Sequence, residues 1–278
     1  MLELENYPKG NLMAGKKGLI MGVANDKSIA WGITKALYAQ GCRDFCFSYQ
    51  GEALQKRVTP LAKEAESEFL VECDVTNSDS IKNLFETIKQ KWGKIDFLVH
   101  AIGFSDKNEL RGKYLNTSLN NFLNTMHISC FSFTEVAKYC YDMMPDGGSL
   151  LTLTYYGGEK VMPHYNVMGV AKAALEMSTK YLAKDMGDRK IRVNAISAGP
   201  VKTLAASGIG DFRLIFKWNE YNAPLKRNVD LEDIGGAAVY LLSDLSRGTT
   251  GEIHHVDSGY NVIGMKDENA PDLTIPAH

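Results

Sequence analysis

Apolar and polar positions along this chain follow two rhythms. Short runs dense in β-branched and aromatic residues alternate with longer stretches whose apolar positions recur every three or four residues. Gly18-Leu-Ile-Met-Gly22 predicts a first strand and Ile29 to Gln40 a helix. Phe45 to Tyr49 predicts a second strand, followed by a helix from Glu52 to Glu66. Phe69 to Cys73 is the third strand, and Ile81 to Trp92 carries the next helix. Phe97 to Ala101 gives a fourth strand, and one long helix is expected from about Leu119 to Met143. Ser149 to Thr154, Ile191 to Ile196 and Glu252 to Val256 complete the strands, with helices starting near Tyr165 and spanning Glu232 to Leu242. Strands that alternate with helices predict an α/β fold: a single doubly wound Rossmann-type parallel sheet with helices on both faces. No Pro/Ser-rich linker or internal repeat interrupts the series, so residues 1–278 are expected to form one domain. The segment Gly199 to Trp218 breaks the rhythm with small and aromatic residues and is long for a connection, which marks it as a candidate active-site lid.

Composition narrows the class. The 278 residues are 45% hydrophobic, enough for one substantial core. With 31 Lys plus Arg against 33 Asp plus Glu, the net charge of −2 offers no footprint for nucleic acid. Residues 1–17 are polar and resemble no signal peptide, and no run approaches the roughly 20 apolar residues of a membrane span. Five scattered cysteines without a CxxC pair suggest reduced thiols, and a cytoplasmic location is expected.

Two regions carry candidate chemistry. The first strand ends at Gly22, and the chain then runs through Val-Ala-Asn-Asp-Lys to Ser28, Ile29 and Gly32. A glycine at a strand end permits a tight turn, and the head of the next helix presents N–H groups to a pyrophosphate. Ser28 can donate to phosphate through its hydroxyl and its N–H, or can simply cap the helix. Gln50, at the end of the second strand, can bond a ribose hydroxyl. No Arg or Lys stands immediately beside it to pair a 2′-phosphate, which favours NADH over NADPH, although Lys56 or Arg57 could reach back. The second region is Tyr165-Asn-Val-Met-Gly-Val-Ala-Lys172. Seven residues are close to two helical turns, so phenol and ammonium share a face, and the lysine's field is expected to lower the tyrosine pKa. On its own, the pair would be better explained as a buried tyrosine and a surface lysine on an ordinary amphipathic helix, because such spacings are common by chance.

Taken together, these motifs resemble the bacterial-type NADH-dependent enoyl-(acyl-carrier-protein) reductases, a divergent branch of the short-chain dehydrogenases. The resemblance runs from about Leu12 to Gly264. It rests on Gly22–Gly32, His100–Gly103, Leu153–Tyr155, Tyr165–Lys172, Arg192–Pro200, Lys202–Gly208 and Gly251–Asp257. Short-chain dehydrogenases usually carry Tyr-x-x-x-Lys. Here Met168 stands four residues before Lys172, and the phenol sits one turn earlier, an axial offset of about 10.5 Å rather than about 6 Å.

The resemblance implies hydride transfer from NADH to the β-carbon of a trans-2-enoyl thioester, with Tyr165 bonding the thioester oxygen and Lys172 holding the nicotinamide ribose. Tyr155 would be a second tyrosine at the substrate. Cofactor contacts are implied for Gly22, Ser28, Ile29, Gln50, Asp74, Val75, Ala101, Gly103, Lys172, Val201 and Thr203. Acyl contacts are implied for Tyr155, Tyr165, Met168, Ala205, Ala206, Ile209 and Phe212. No metal is expected; His254 and His255 are strand neighbours that point to opposite faces. Enoyl-acyl carrier protein is the implied partner and a homotetramer the implied assembly, with no nucleic acid or membrane partner. Two departures stand out: Ala101 replaces a small hydroxyl residue, and Gly210 replaces a lysine found in some members, leaving Arg213 and Lys217 as candidate basic contacts. A 3-oxoacyl thioester reductase of the same fold is the nearest rival, and a non-catalytic NADH-binding regulator is a second.

Overall fold

The protein is described from a computed structural model that covers residues 2–204 and 212–273. Seven strands form one sheet: β1 (Lys17–Met21), β2 (Asp44–Tyr49), β3 (Leu70–Glu72), β4 (Phe97–His100), β5 (Gly148–Thr154), β6 (Ile191–Ala198) and β7 (Ile253–Val256). Their order is β3-β2-β1-β4-β5-β6-β7, and every neighbouring pair is parallel. Eight helices flank the sheet among the described residues: α1 (Ile29–Ala39), α2 (Gly51–Glu64), α3 (Ser78–Trp92), α4 (Leu119–Met126), α5 (Ser132–Met143), α6 (Asn166–Met186), α7 (Phe212–Asn222) and α8 (Leu231–Leu242).

Both faces of the sheet are covered, which is why the strand runs are almost continuously apolar. Within β1, Ile20 points to one face and packs in a cluster with Trp31 and Leu37 of α1 and Ile234 and Leu241 of α8. Its neighbours Leu19 and Met21 point to the other face, among Leu84 and Ile88 of α3, Val136 of α5 and Leu175 of α6. Arg192 of β6 turns its guanidinium on the end of α8. It donates to the Leu241 and Ser243 carbonyls and to the Ser246 hydroxyl at 2.7, 3.0 and 2.5 Å, satisfying acceptors that a helix end leaves open.

Three expectations change. The helix expected over Leu119–Met143 is divided by a π-type turn at His127–Phe131, where one wider turn separates α4 from α5. Ser129, inside that turn, accepts from the Phe104 N–H at 2.9 Å and donates to the Phe104 carbonyl at 3.0 Å. Part of the segment read as an irregular interruption is helical, because α7 begins at Phe212. Tyr165 precedes α6 rather than belonging to it: its neighbours His164 and Asn166 take φ of 56° and 40°, and the helix starts at Asn166.

All five cysteines are free and buried, and burial pushes the thiols of Cys42 and Cys73 up to about 12. Among the described residues no helix is long and apolar enough to cross a membrane, and no group of three or more His, Cys, Asp or Glu could hold a metal ion.

Candidate active site

The C-terminal edge of a doubly wound sheet is where ligands bind, because the strand ends and the following turns open a crevice there. Gly22 ends β1 with φ of 100°, and a Cβ on it would lie 2.1 Å from the Ala101 carbonyl oxygen, so only glycine fits between the ends of β1 and β4. The turn that follows is held from within. The Ser28 hydroxyl accepts from the N–H groups of Ala24 and Asn25, both at 3.0 Å, and faces the Asn25 side-chain oxygen at 3.3 Å. The Ser28 N–H donates to the Asn25 carbonyl at 3.1 Å. Both Ser28 donors, expected to face a phosphate, are therefore engaged inside the turn. The Ser28 carbonyl takes the first helical bonds from Trp31 and Gly32, which leaves Ile29 and Ala30 at the head of α1.

Gln50 and Asp74 follow the ends of β2 and β3, close enough for the Gln50 side chain to act on the Asp74 carboxyl. Burial alone would raise the Asp74 carboxyl, but bonds from the Thr76 N–H and hydroxyl hold it below the usual range, with Gln50 and then His127 adding to the same effect. Val75 beside it is buried. Lys56, one of two cations considered for a 2′-phosphate, is instead paired with Glu52 at 2.6 Å. The glycine cradle at Gly22, the open head of α1 and the polar Gln50–Asp74 pair fit a nicotinamide dinucleotide laid along this edge.

At the far end of the edge lies a cavity of about 900 Å³. Tyr155, Tyr165, Met168 and Lys172 line it together, and so do Ile29, Ala101, Gly103, Val201, Thr203 and Phe212. Gly22, Ser28, Gln50, Asp74 and Val75 lie outside it, towards the other end of the crevice. Ala205, Ala206, Ile209 and Gly210 lie outside the described residues. Tyr155 and Tyr165 meet edge to face with centroids 5.1 Å apart. Lys172 is 8% exposed and donates from Nζ to the Leu153 carbonyl at 2.8 Å. The same Nζ would lie 3.7 Å from a Cβ on Gly103, so it stands just behind that turn.

The electrostatics correct one expectation. Burial pushes the Tyr165 phenol up, not down, reinforced by Tyr155 and Glu176. Helical spacing points to Lys172 as its neighbour, but the surroundings that decide the phenol are apolar wall and other acids. Burial also lowers Lys172 to about 8, against Cys130 and Glu176, which raise it. Tyr165 is thus a neutral donor near neutral pH, and Lys172 is a cation close to its titration. His100 is fully buried between Thr152 and Ser132, at 3.3 and 2.9 Å, and burial followed by the field of Lys172 drops it to about 3.

One wall was missed from the sequence. The loop after β4 contributes Ile102, Phe104, Ser105 and Leu110 to the cavity, and α4 contributes Asn121 and Asn124. Asn166 fixes this loop by donating its amide to the carbonyls of Glu109, Leu110 and Gly112 at 3.3, 3.1 and 3.3 Å. The apolar residues Ile102, Phe104 and Leu110 in a run with no helical or strand rhythm were the available signal.

Comparison with known proteins points the same way. A family model described as enoyl-(acyl carrier protein) reductase matches residues 22–261. The chain is 64% identical over 264 residues to enoyl-(acyl-carrier-protein) reductase (NADH) 1 of Rhizobium meliloti, covering 95% of this chain and 97% of that one. It is 59% identical to the enoyl-(acyl-carrier-protein) reductase (NADH) FabI of Rickettsia typhi, over 91% of this chain and 97% of that one. Among solved structures, the Anaplasma phagocytophilum reductase in complex with NAD superposes with a TM-score of 0.91 at 58% identity, covering 96% of this chain and all of that one. The Bacillus cereus reductase, with NADP+ and indole naphthyridinone, superposes with a TM-score of 0.89 at 49% identity, covering 92% of this chain and 100% of that one. The chain belongs to the enoyl-(acyl carrier protein) reductase family.

Proposed function

We propose that this protein reduces trans-2-enoyl thioesters of acyl carrier protein with NADH, giving the saturated acyl thioester in fatty acid biosynthesis. The observation that carries this reading is the convergence of Tyr155, Tyr165 and Lys172 on one apolar cavity, with Met168 one turn before the lysine. NADH, when bound, supplies the hydride that adds to the β-carbon. Gly22, Ile29 and Thr203 would hold its phosphate side, Gln50, Asp74 and Val75 its adenosine side, and Lys172, Ala101, Gly103 and Val201 its nicotinamide side, with Ser28 bracing the turn.

Negative charge develops on the thioester oxygen as the β-carbon is reduced. A neutral, buried phenol at Tyr165 donates a hydrogen bond to that oxygen, and the low dielectric around it makes the bond strong. Lys172 adds positive field from behind. Tyr155 fixes the Tyr165 ring and closes the apolar wall, with Met168, Phe212 and the chain on either side of residues 205–211 completing the acyl site. In this reading the segment 199–218 covers the substrate and the chain is one domain.

A carbonyl reductase of the same fold would need a phenol where Met168 stands and a free hydroxyl near Thr152. The Thr152 hydroxyl is buried and donates to the His100 carbonyl at 3.1 Å, away from the cavity. For the assembly we propose a cytoplasmic homotetramer. Leu123, Phe131, Met177 and Tyr181 are exposed on α4, the π-type turn and α6, an apolar face suited to a second copy.

The test is loss of NADH absorbance with a crotonyl thioester, beside an acetoacetyl thioester and NADPH. Oxidation with the enoyl substrate and NADH supports the reading. Oxidation with the acetoacetyl substrate alone moves it to carbonyl reduction, and silence despite NADH binding makes the protein a regulator. Light scattering at micromolar protein reports the assembly.

A further inference from the structure

Behind the cavity, a line of ionisable side chains runs from Lys172 to the surface, and the reduction as described uses only its inner end. Glu176 lies one turn after Lys172 on α6 and is 9% exposed. Consecutive residues of β5 hold the two: the Leu153 carbonyl accepts from Lys172, and the Thr154 hydroxyl donates to Glu176 Oε1 at 2.6 Å. Gly158 leaves the space for this carboxyl, since a Cβ there would come within 2.6 Å of Glu176 Oε1. Beyond it, Glu159 Oε1 and His255 Nε2 are 2.6 Å apart, with side chains 36% and 24% exposed.

We propose that Glu176 is a positioning residue for the reduction, acting as the buried counter-charge of the Lys172 ammonium. A buried ammonium with only a carbonyl partner is costly to keep charged, and a carboxylate one helical turn away offsets that cost. The groups facing Lys172 are Glu176 on its own helix, the Cys130 thiol in the π-type turn and the His100 ring at the end of β4. Those facing Glu176 are Thr154 on β5, Glu159 in the turn after it, His255 on β7 and Lys172. Burial raises the Glu176 carboxyl and Glu159 adds to this, while Thr154, His255 and Lys172 pull it down. An ionised Glu176 holds the Lys172 proton to higher pH, so turnover has an alkaline limb set by Lys172 and carried upwards by the Glu176 charge.

The inference rests on the reductase reading, and wild-type turnover of crotonyl thioester tests that reading separately. The test of the inference is the pH profile of kcat, with NADH and substrate saturating, for wild type, Glu176→Gln and Glu176→Asp. The Gln at 176 keeps an acceptor for Thr154 but removes the charge, so the alkaline limb moves down by about one pH unit. The Asp at 176 keeps the charge on a shorter arm, so the alkaline limb moves down part of the way, and this second variant decides the matter if Glu176→Gln does not fold. A lower kcat with the alkaline limb unmoved would make Glu176 a packing residue and overturn the inference.

Discussion

Tyr155 stands edge-on to Tyr165, with ring planes at 77°, because residue 157 has no side chain. A Cβ on Gly157 would come within 2.4 Å of the Tyr165 ring and 3.2 Å of the Tyr155 ring. Gly169 of α6 is equally close to this turn, since its Cβ would lie 2.7 Å from the Gly157 carbonyl oxygen. The Tyr165 phenol is aimed by close backbone approach of the turn after β5 to the first turns of α6.

Gly157→Ala should therefore misplace Tyr165 without touching the cofactor. A loss in kcat on the order of 10²-fold is expected, with NADH affinity by fluorescence titration unchanged. Full activity would mean that the rings can yield.

Tyr165→Phe removes the donor and leaves the shape. The expected fall in kcat is about 10²–10³-fold with crotonyl thioester, the range typical of one lost oxyanion donor. Stopped-flow measurement of the hydride step distinguishes this from slower product release.

Asn166→Ala breaks the three amide bonds to the loop at residues 109–112 and places alanine at a positive φ. The left-handed backbone alone costs about 1–2 kcal/mol, seen as a lower urea midpoint. Because the loop lines the cavity, KM for the enoyl thioester should rise several-fold more than KM for NADH.

Gln50→Arg places a fixed cation at the end of β2, beside Asp74. The kcat/KM ratio of NADPH to NADH should increase about tenfold, in line with one added charge-assisted hydrogen bond to a phosphate. An unchanged ratio would move the cofactor's 2′ side away from Gln50.

His100 makes folding sensitive to acid. Its ring, near 6.5 when unfolded, is pushed by burial to about 3 in the folded protein. The unfolded chain then binds the proton more readily, so this contribution to stability is whole above pH 6.5 and is lost as pH falls towards 3. Unfolding in urea between pH 7 and pH 5 should show a loss of up to about 1.4 kcal/mol per pH unit from this site, reduced in His100→Gln.

The sheet could be read from the chain because every strand is covered on both faces, and such strands announce themselves as short apolar runs. Tyr165, Lys172 and Gly22 were legible for a similar reason: each sits at a strand or helix edge with chemistry or geometry visible in one dimension. The turn at His127–Phe131 was not, since it contains neither Gly nor Pro and is tied instead to Phe104 through Ser129. The helix at Phe212 was hidden in a segment without a clean apolar stripe. The direction of the Tyr165 shift was also out of reach. Spacing along a helix names the nearest cation, whereas desolvation depends on everything packed around the ring.

The placement of β1 bears on how the chain is made. β1 is an early element, yet it lies inside the sheet, and one of its two edges pairs only with Phe97–His100. While the ribosome works through the residues between, β1 can pair with Asp44–Tyr49 but keeps its opposite edge and the bare sides of Leu19, Ile20 and Met21 open. Parallel pairing across so long a span is slow, and unpaired edges are sticky. The emerging chain thus passes through a stage that invites chaperone capture, and a nascent chain stalled with Phe97–His100 still inside the ribosome would be a far stronger client than one stalled after that strand has emerged.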